Sequence, residues 1–332
     1  MRFMKLKDYG ALPFRYAKSV YSVDIEQQTA RLTIKDNHGD VFNIDITACT
    51  SNVLRFRLYK NVFVPPAYDF INHDYIAEAC RAKIIQDDEL VTVTTDKLKL
   101  EINKKEYDYR LFDDTGKRIL KENAHDVNPV GDGEDMVPPT GYSYNRQGDI
   151  ECFNICYALG VYENIYGLGE RFGAFNRREQ SVRMFNSDAL GVRNSNAYKN
   201  IPFYISSAGY GIFVNSHRDT EFNMGSRSYE SVNIHMPGES VEYYIITGSM
   251  KQIVSTYTNM TGPAALPPKW SFGVWYSNSF KASSRQDVER DAGYFRENNI
   301  PCDVIHLDCY WLRDNMWCDF IWDEKMYPKY EE

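Results

Sequence analysis

The chain has 332 residues, of which 14% are aromatic, and a formal net charge of −8. That length favours two domains with a core in each. The interspersed acidic balance lacks the basic face of a nucleic-acid binder, and no stretch approaches the ~20 apolar residues of a membrane-spanning helix.

The first segment, MRFMKLKDYGALPFRYAKSVYS, is basic but has no apolar core of the length a signal peptide needs, so the expectation is a cytoplasmic protein. Residues 20–125 read as successive β-strands. KLKLEIN sets Leu98, Leu100 and Ile102 on one face and Lys97, Lys99 and Glu101 on the other. LFDDTGKRIL predicts a hairpin turning at Asp114, Thr115 and Gly116. Residues 126–150, rich in Pro, Gly and Asp, read as a loop. Strands resume at ECFNICYAL and continue through IPFYISS, YGIFVNS, SVNIHM and VEYYIITG. Some ten strands with regular turn signals suggest a β-sandwich, aromatic-rich as β-structure and sugar-stacking surfaces both are.

After residue 245 the periodicity changes. Ser249 followed by Gln252 is a capping-box pattern, Ile253, Val254 and Tyr257 recur at helical spacing, and Gly262-Pro263 ends the helix. An apolar run, WSFGVWYS, then a helix opening near Ser284 with Asp287 three residues on, then CDVIHLDCYW, predict a parallel βαβ unit. Two such strands need neighbours on either side, so the segment reads as the opening of a parallel α/β domain of which about 65 residues are present, against ~250 for a closed (β/α)₈ barrel. The expected domains are therefore a sandwich over 1–245, a linker with a helix over 246–269, and the start of a barrel over 270–332.

In α/β barrels the ligand site lies at the strand C-termini, which is where Asp308 stands. A carboxylate there can accept hydrogen bonds from two neighbouring sugar hydroxyls, with Tyr310 and Trp311 offering flat faces to a pyranose. The competing assignment is an aspartate capping the next turn, with aromatics packing the rim. Phe280 ends the preceding strand in the same way. YGLGERFG at 166–173 lacks the third glycine and the following helix of a nucleotide loop; Glu170 and Arg171 read as an ion pair or a turn bracing the sandwich. The late acids Asp308, Asp314, Asp319, Asp323 and Glu324 have no spacing that compels a catalytic pair. Seven cysteines, an odd number, make no disulfide framework, and Cys152 and Cys156 lack the partners of a zinc site. No metal and no cofactor is expected, and the thiols read as reduced and mostly buried.

YGLGERFG, NAYKNIPFYISSAGYGIFVNS, TGPAALPPKWSFGVWYSNSF and HLDCYWLRDNMWCDFIWDEKMYP, in this order and spacing, resemble glycoside hydrolase family 31, and within it the α-xylosidases, from about residue 155 onward. The resemblance implies a galactose-mutarotase-like β-sandwich followed by a (β/α)₈ catalytic barrel, of which this chain carries the first βαβ unit. It implies that Asp308 binds sugar hydroxyls in the −1 subsite and that Cys309 and Tyr310 crowd the place of a hexose 6-hydroxymethyl. It also makes Phe280 a subsite aromatic, and Asp188, in MFNSDALGVRNSN, part of a sandwich loop that reaches over the barrel. Where the xylosidases have Cys-Phe, this chain has Cys-Tyr, so an α-glucoside stays open beside an α-xyloside. The family's nucleophile segment and its acid/base aspartate do not occur in these residues.

The resulting expectation is the N-terminal part of a retaining α-glycosidase, inactive as an isolated chain, whose partner is an α-linked oligosaccharide or glycoside. Three rivals are a carbohydrate-binding sandwich module, a mutarotase-type epimerase, for which no His/Glu pair stands out, and half of a split glycosidase. A homo-oligomer and a complementing C-terminal chain both stay open as assemblies.

Overall fold

A computed structural model describes residues 14–76, 80–123, 137–145, 147–188, 195–278 and 283–331. The chain divides into two compact units, Met1–Pro263 and Ala264–Glu332.

The first unit opens with an antiparallel meander, β1 (Arg15–Glu26), β2 (Thr29–Asp36), β3 (Val41–Thr50) and β4 (Val53–Tyr59), followed by a short helix, α1 (His73–Ile76). Next come β5 (Lys83–Gln86), β6 (Leu90–Thr94), β7 (Leu98–Asn103), β8 (Asp108–Asp113) and β9 (Arg118–Lys121), which form a five-stranded sheet of their own. The remaining strands are β10 (Gly141–Tyr144), β11 (Ile150–Ala158), β12 (Ile165–Gly167), β13 (Ser181–Arg183), β14 (Phe203–Ser206), β15 (Tyr210–Val214), β16 (Glu221–Met224), β17 (Ser231–Pro237) and β18 (Ser240–Thr247). One sheet runs β12-β14-β15-β18-β4-β3-β2-β1 and a second β1-β10-β11-β17-β16-β13, so β1 belongs to both. Register shifts between Ala17 and Ser19 and between Val20 and Ser22 let β1 do this, because an extra residue bends the strand and sharpens its twist. There are thus eighteen strands in the described part of this unit, more than the ten read from turn signals, because several are only three or four residues long.

Alternation explains the layers. On β7, Leu98, Leu100 and Ile102 are buried while the residues between them are not, as expected of a half-wet sheet. The core is rich in rings: Phe56 stacks on Tyr243 and on Tyr109 with centroids 5.0 and 5.5 Å apart. Buried tyrosine hydroxyls need partners, and that of Tyr109 donates to Tyr157 at 2.8 Å.

The helix expected after the sandwich is α2 (Met250–Thr261). Ser249 caps it, accepting from the Gln252 amide, while the Gln252 side chain returns to the Ser249 amide. It belongs to the first unit, burying Ile253 and Met260 and stacking Tyr257 on Phe203 at 4.0 Å.

In the second unit, β19 (Trp275–Ser277), α3 (Arg285–Glu297) and β20 (Val304–His306) form the expected strand, helix, strand, with the two strands parallel. The Ser284 and Asp287 capping box is present, and Phe295 meets Tyr276 edge-on at 5.0 Å. Only three residues of WSFGVWYS are strand, since Lys269–Phe272 winds into a 3₁₀ turn behind Pro268. Val274 and Trp275 are each about half exposed, at 50% and 51%.

Candidate sugar site

β20 delivers the chain to Asp308 in extended conformation, and Cys309–Trp311 then winds into a 3₁₀ turn. One Asp308 oxygen accepts the Cys309 amide at 2.7 Å, so the capping geometry is realised. Burial, then the Asp308 carboxylate beside it, raises the pKa of the Cys309 thiol, keeping it neutral and facing Asp308 as a donor. Beyond that amide and thiol, no group among the described residues engages the carboxylate. Tyr310 is half-buried. Trp311 packs on Trp322 with centroids 4.7 Å apart, and Trp322 stacks in turn on Tyr330. Asp308, Cys309, Tyr310 and Trp311 therefore share one turn at the C-terminal end of a parallel strand; Phe280 lies outside the described residues.

Three other aspartates of this unit accept backbone amides. Asp303 accepts the Val274 amide at 3.2 Å, Asp319 accepts Ile321 at 3.1 Å and Arg313 at 3.3 Å, and Asp323 accepts Lys325 at 2.9 Å.

In the first unit, Asp188 is exposed; its side chain accepts from the Tyr198 hydroxyl and its carbonyl from the Asn196 amide group at 2.9 Å. Nearby, Arg171 donates to the carbonyls of Leu168 (3.1 Å), Ser195 (3.1 Å) and Arg183 (2.7 Å) and to the Asn200 side chain. Burial, then the nearby Arg177, lowers the pKa of Arg171. Arg171 is thus not paired with Glu170, whose carboxylate meets Lys199 at 3.0 Å; of the two readings for this motif, the bracing turn is the one realised. Gly169 is required there: its φ is +83°, and a Cβ would stand 2.0 Å from the Lys199 carbonyl oxygen. Periodicity gave no signal for Arg171, because three of its four partners, Arg183, Ser195 and Asn200, are distant along the chain.

A second constellation escaped the reading of spacing. The Cys152 sulfur lies 2.9 Å from the Ser143 hydroxyl and 3.6 Å from His235 Nδ1. Burial pushes this thiol up to about 11 and the imidazole down to about 4. Both are neutral at pH 7, so the pair is packing rather than an activated nucleophile. All seven thiols are free and five are buried.

Comparison with known proteins places these features. Residues 43–223 match the glycosyl hydrolase 31 N-terminal galactose mutarotase-like domain, and 264–332 match the TIM-barrel domain of the same family. An α-xylosidase of Emericella nidulans is 37% identical over 247 residues, covering 71% of this chain and 31% of that protein. An α-xylosidase of Lactiplantibacillus pentosus is 39% identical over 192 residues, covering 57% of this chain and 25% of that protein. The chain thus spans less than a third of the length of either relative. Among solved structures, a Flavobacterium johnsoniae dextranase complexed with isomaltotriose superposes with a TM-score of 0.79 at 25% identity, covering 94% of this chain and 36% of that one. An α-xylosidase from a soil metagenome, complexed with xylose, shares the fold with a TM-score of 0.76 at 17% identity, covering 93% of this chain and 44% of that one. With its mutarotase-like sandwich and the strand, helix, strand of a TIM-barrel domain both matched, the chain belongs to glycosyl hydrolase family 31.

Proposed function

We propose that this chain supplies the sugar-recognition part of a retaining α-glycosidase acting on terminal α-xylosides, and that its own residues bind the sugar without cleaving it. The observation that carries this is Asp308: a carboxylate at the C-terminal end of a parallel strand, with only its neighbouring amide and thiol as partners among the described residues. Such a group accepts hydrogen bonds from adjacent hydroxyls of a pyranose. Cys309 and Tyr310, next along the turn, occupy the place of a hexose 6-hydroxymethyl and so favour a pentose; filling a pocket of this size discriminates by roughly 1–3 kcal/mol. Likeness to the two α-xylosidases supports that preference. In this reading Trp311 supports the turn through Trp322.

Retention requires two carboxyls ~5 Å apart, one a nucleophile and one an acid of raised pKa. Asp303, Asp319 and Asp323 are engaged with backbone amides instead. We assign the catalytic pair to residues other than these three. Titration of the protein with xylose, followed by tryptophan emission, tests the binding role. Saturation that Asp308→Ala abolishes is expected; unchanged binding in that variant would remove Asp308 from the site.

A further inference from the structure

We propose that the polar face of β2, β3 and β4 is a binding groove for a saccharide carrying one carboxylate, a uronic acid, with Arg55 as its anchor. This does not rest on the role given to Asp308.

The inward residues of these strands, such as Leu32, Ile44 and Phe56, are fully in the core; the outward ones form two cross-strand rungs. Arg31 pairs with Asp45 and Asp45 with Arg57 on one rung, Thr29 with Thr47 and Thr47 with Arg55 on the other. Between them lies a groove of 490 Å³, lined also by Glu26 and Gln27, within the size range of small-molecule sites. The first rung is neutralised: Arg31 meets Asp45 at 3.0 Å and Arg57 meets Glu242 at 2.6 Å.

Arg55 is different. It donates from Nη2 to the Thr47 hydroxyl at 3.4 Å, its Nε is buried with no acceptor, and no carboxylate among the described residues pairs with it. A half-buried guanidinium with five N–H groups is left under-satisfied, in a protein whose net charge is −8. A carboxylate matches that fork. One uncompensated cation suits a monoanion rather than a phosphate dianion. The hydroxyls of Thr29 and Thr47, 2.9 Å apart, and the carboxylate of Asp45 retain acceptor capacity for sugar hydroxyls. No aromatic ring lines the groove, so a neutral pyranose finds no stacking face.

The test is calorimetric titration of the full chain with methyl β-glucuronide, methyl β-glucoside and glucose 6-phosphate. Expected are saturable binding of the glucuronide, a loss of at least about tenfold in Arg55→Gln, tighter binding in Glu26→Gln, which removes a repelling charge from an exposed position, and no change in Asp308→Ala. Absence of glucuronide binding, equal affinity for the neutral glucoside, preference for the phosphate, or unaltered affinity in a folded Arg55→Gln would each overturn the proposal. If Arg55→Gln does not unfold cooperatively, Glu26→Gln decides, and unaltered affinity there overturns it.

Discussion

The Asp308 carboxylate accepts the Cys309 amide at 2.7 Å, so the side chain proposed to bind the sugar also starts the turn. These duties separate by substitution. Asp308→Asn keeps a capping oxygen and should leave the turn intact while weakening sugar binding. Asp308→Ala removes both and should cost about 1 kcal/mol locally, as lost caps do. Amide exchange at Cys309 and Leu312 reads the cap, and should quicken in the alanine variant alone.

Glu122 is fully buried beside Tyr107 and Tyr109, and neither of its oxygens has a hydrogen-bond partner among the described residues. Burial holds its pKa well above the ordinary 4.5, with the Thr140 dipole opposing and the Asp108 charge adding. Because the folded value is raised, this group's contribution is full below pH 4.5 and is lost as pH rises toward the folded value, at up to ~1.4 kcal/mol per pH unit. Glu122→Gln removes that dependence. Urea midpoints at pH 5 and pH 8 should fall with pH in the wild type relative to the variant; parallel curves would show that Glu122 ionises freely in the fold.

Helix α2 sits directly on β15. A Cβ at Gly211 would stand 2.8 Å from Ile253 Cγ2. Gly211→Ala should cost about 1–3 kcal/mol by overpacking and Ile253→Ala about 2–5 kcal/mol by opening a cavity. The double variant should cost less than their sum, since each change relieves the other; additive unfolding free energies would contradict direct packing.

In a catalytically competent assembly containing this chain, shortening both Cys309 and Tyr310 should move preference from α-xylosides toward α-glucosides by roughly 1–3 kcal/mol in kcat/KM. An unchanged ratio would take the two residues out of specificity.

Local chemistry was the part legible in the residues. The capping boxes at Ser249 and Ser284, the hairpin at Asp114, Thr115 and Gly116, and the alternation of β7 all depend on neighbours within a few positions, and all are present. The sharing of β1 between two sheets depends on bulges and distant pairings that periodicity does not encode. The same holds for Arg171 gathering carbonyls from Leu168 to Ser195 and for the Arg55 groove, where residues 8 to 18 positions apart meet across strands. At the candidate site, the motif marked Asp308 and its neighbours, but the packing of Trp311 on Trp322 is a tertiary contact that the motif does not encode.

Binding without cleavage is tested most directly by incubating the purified chain with 4-nitrophenyl α-xyloside. Rate enhancements of about 10⁶ or more are beyond binding groups that lack a carboxyl pair, so release of nitrophenol should stay at the uncatalysed rate. Sustained turnover from a preparation free of host glycosidase, abolished by substituting one of this chain's own aspartates, would contradict it.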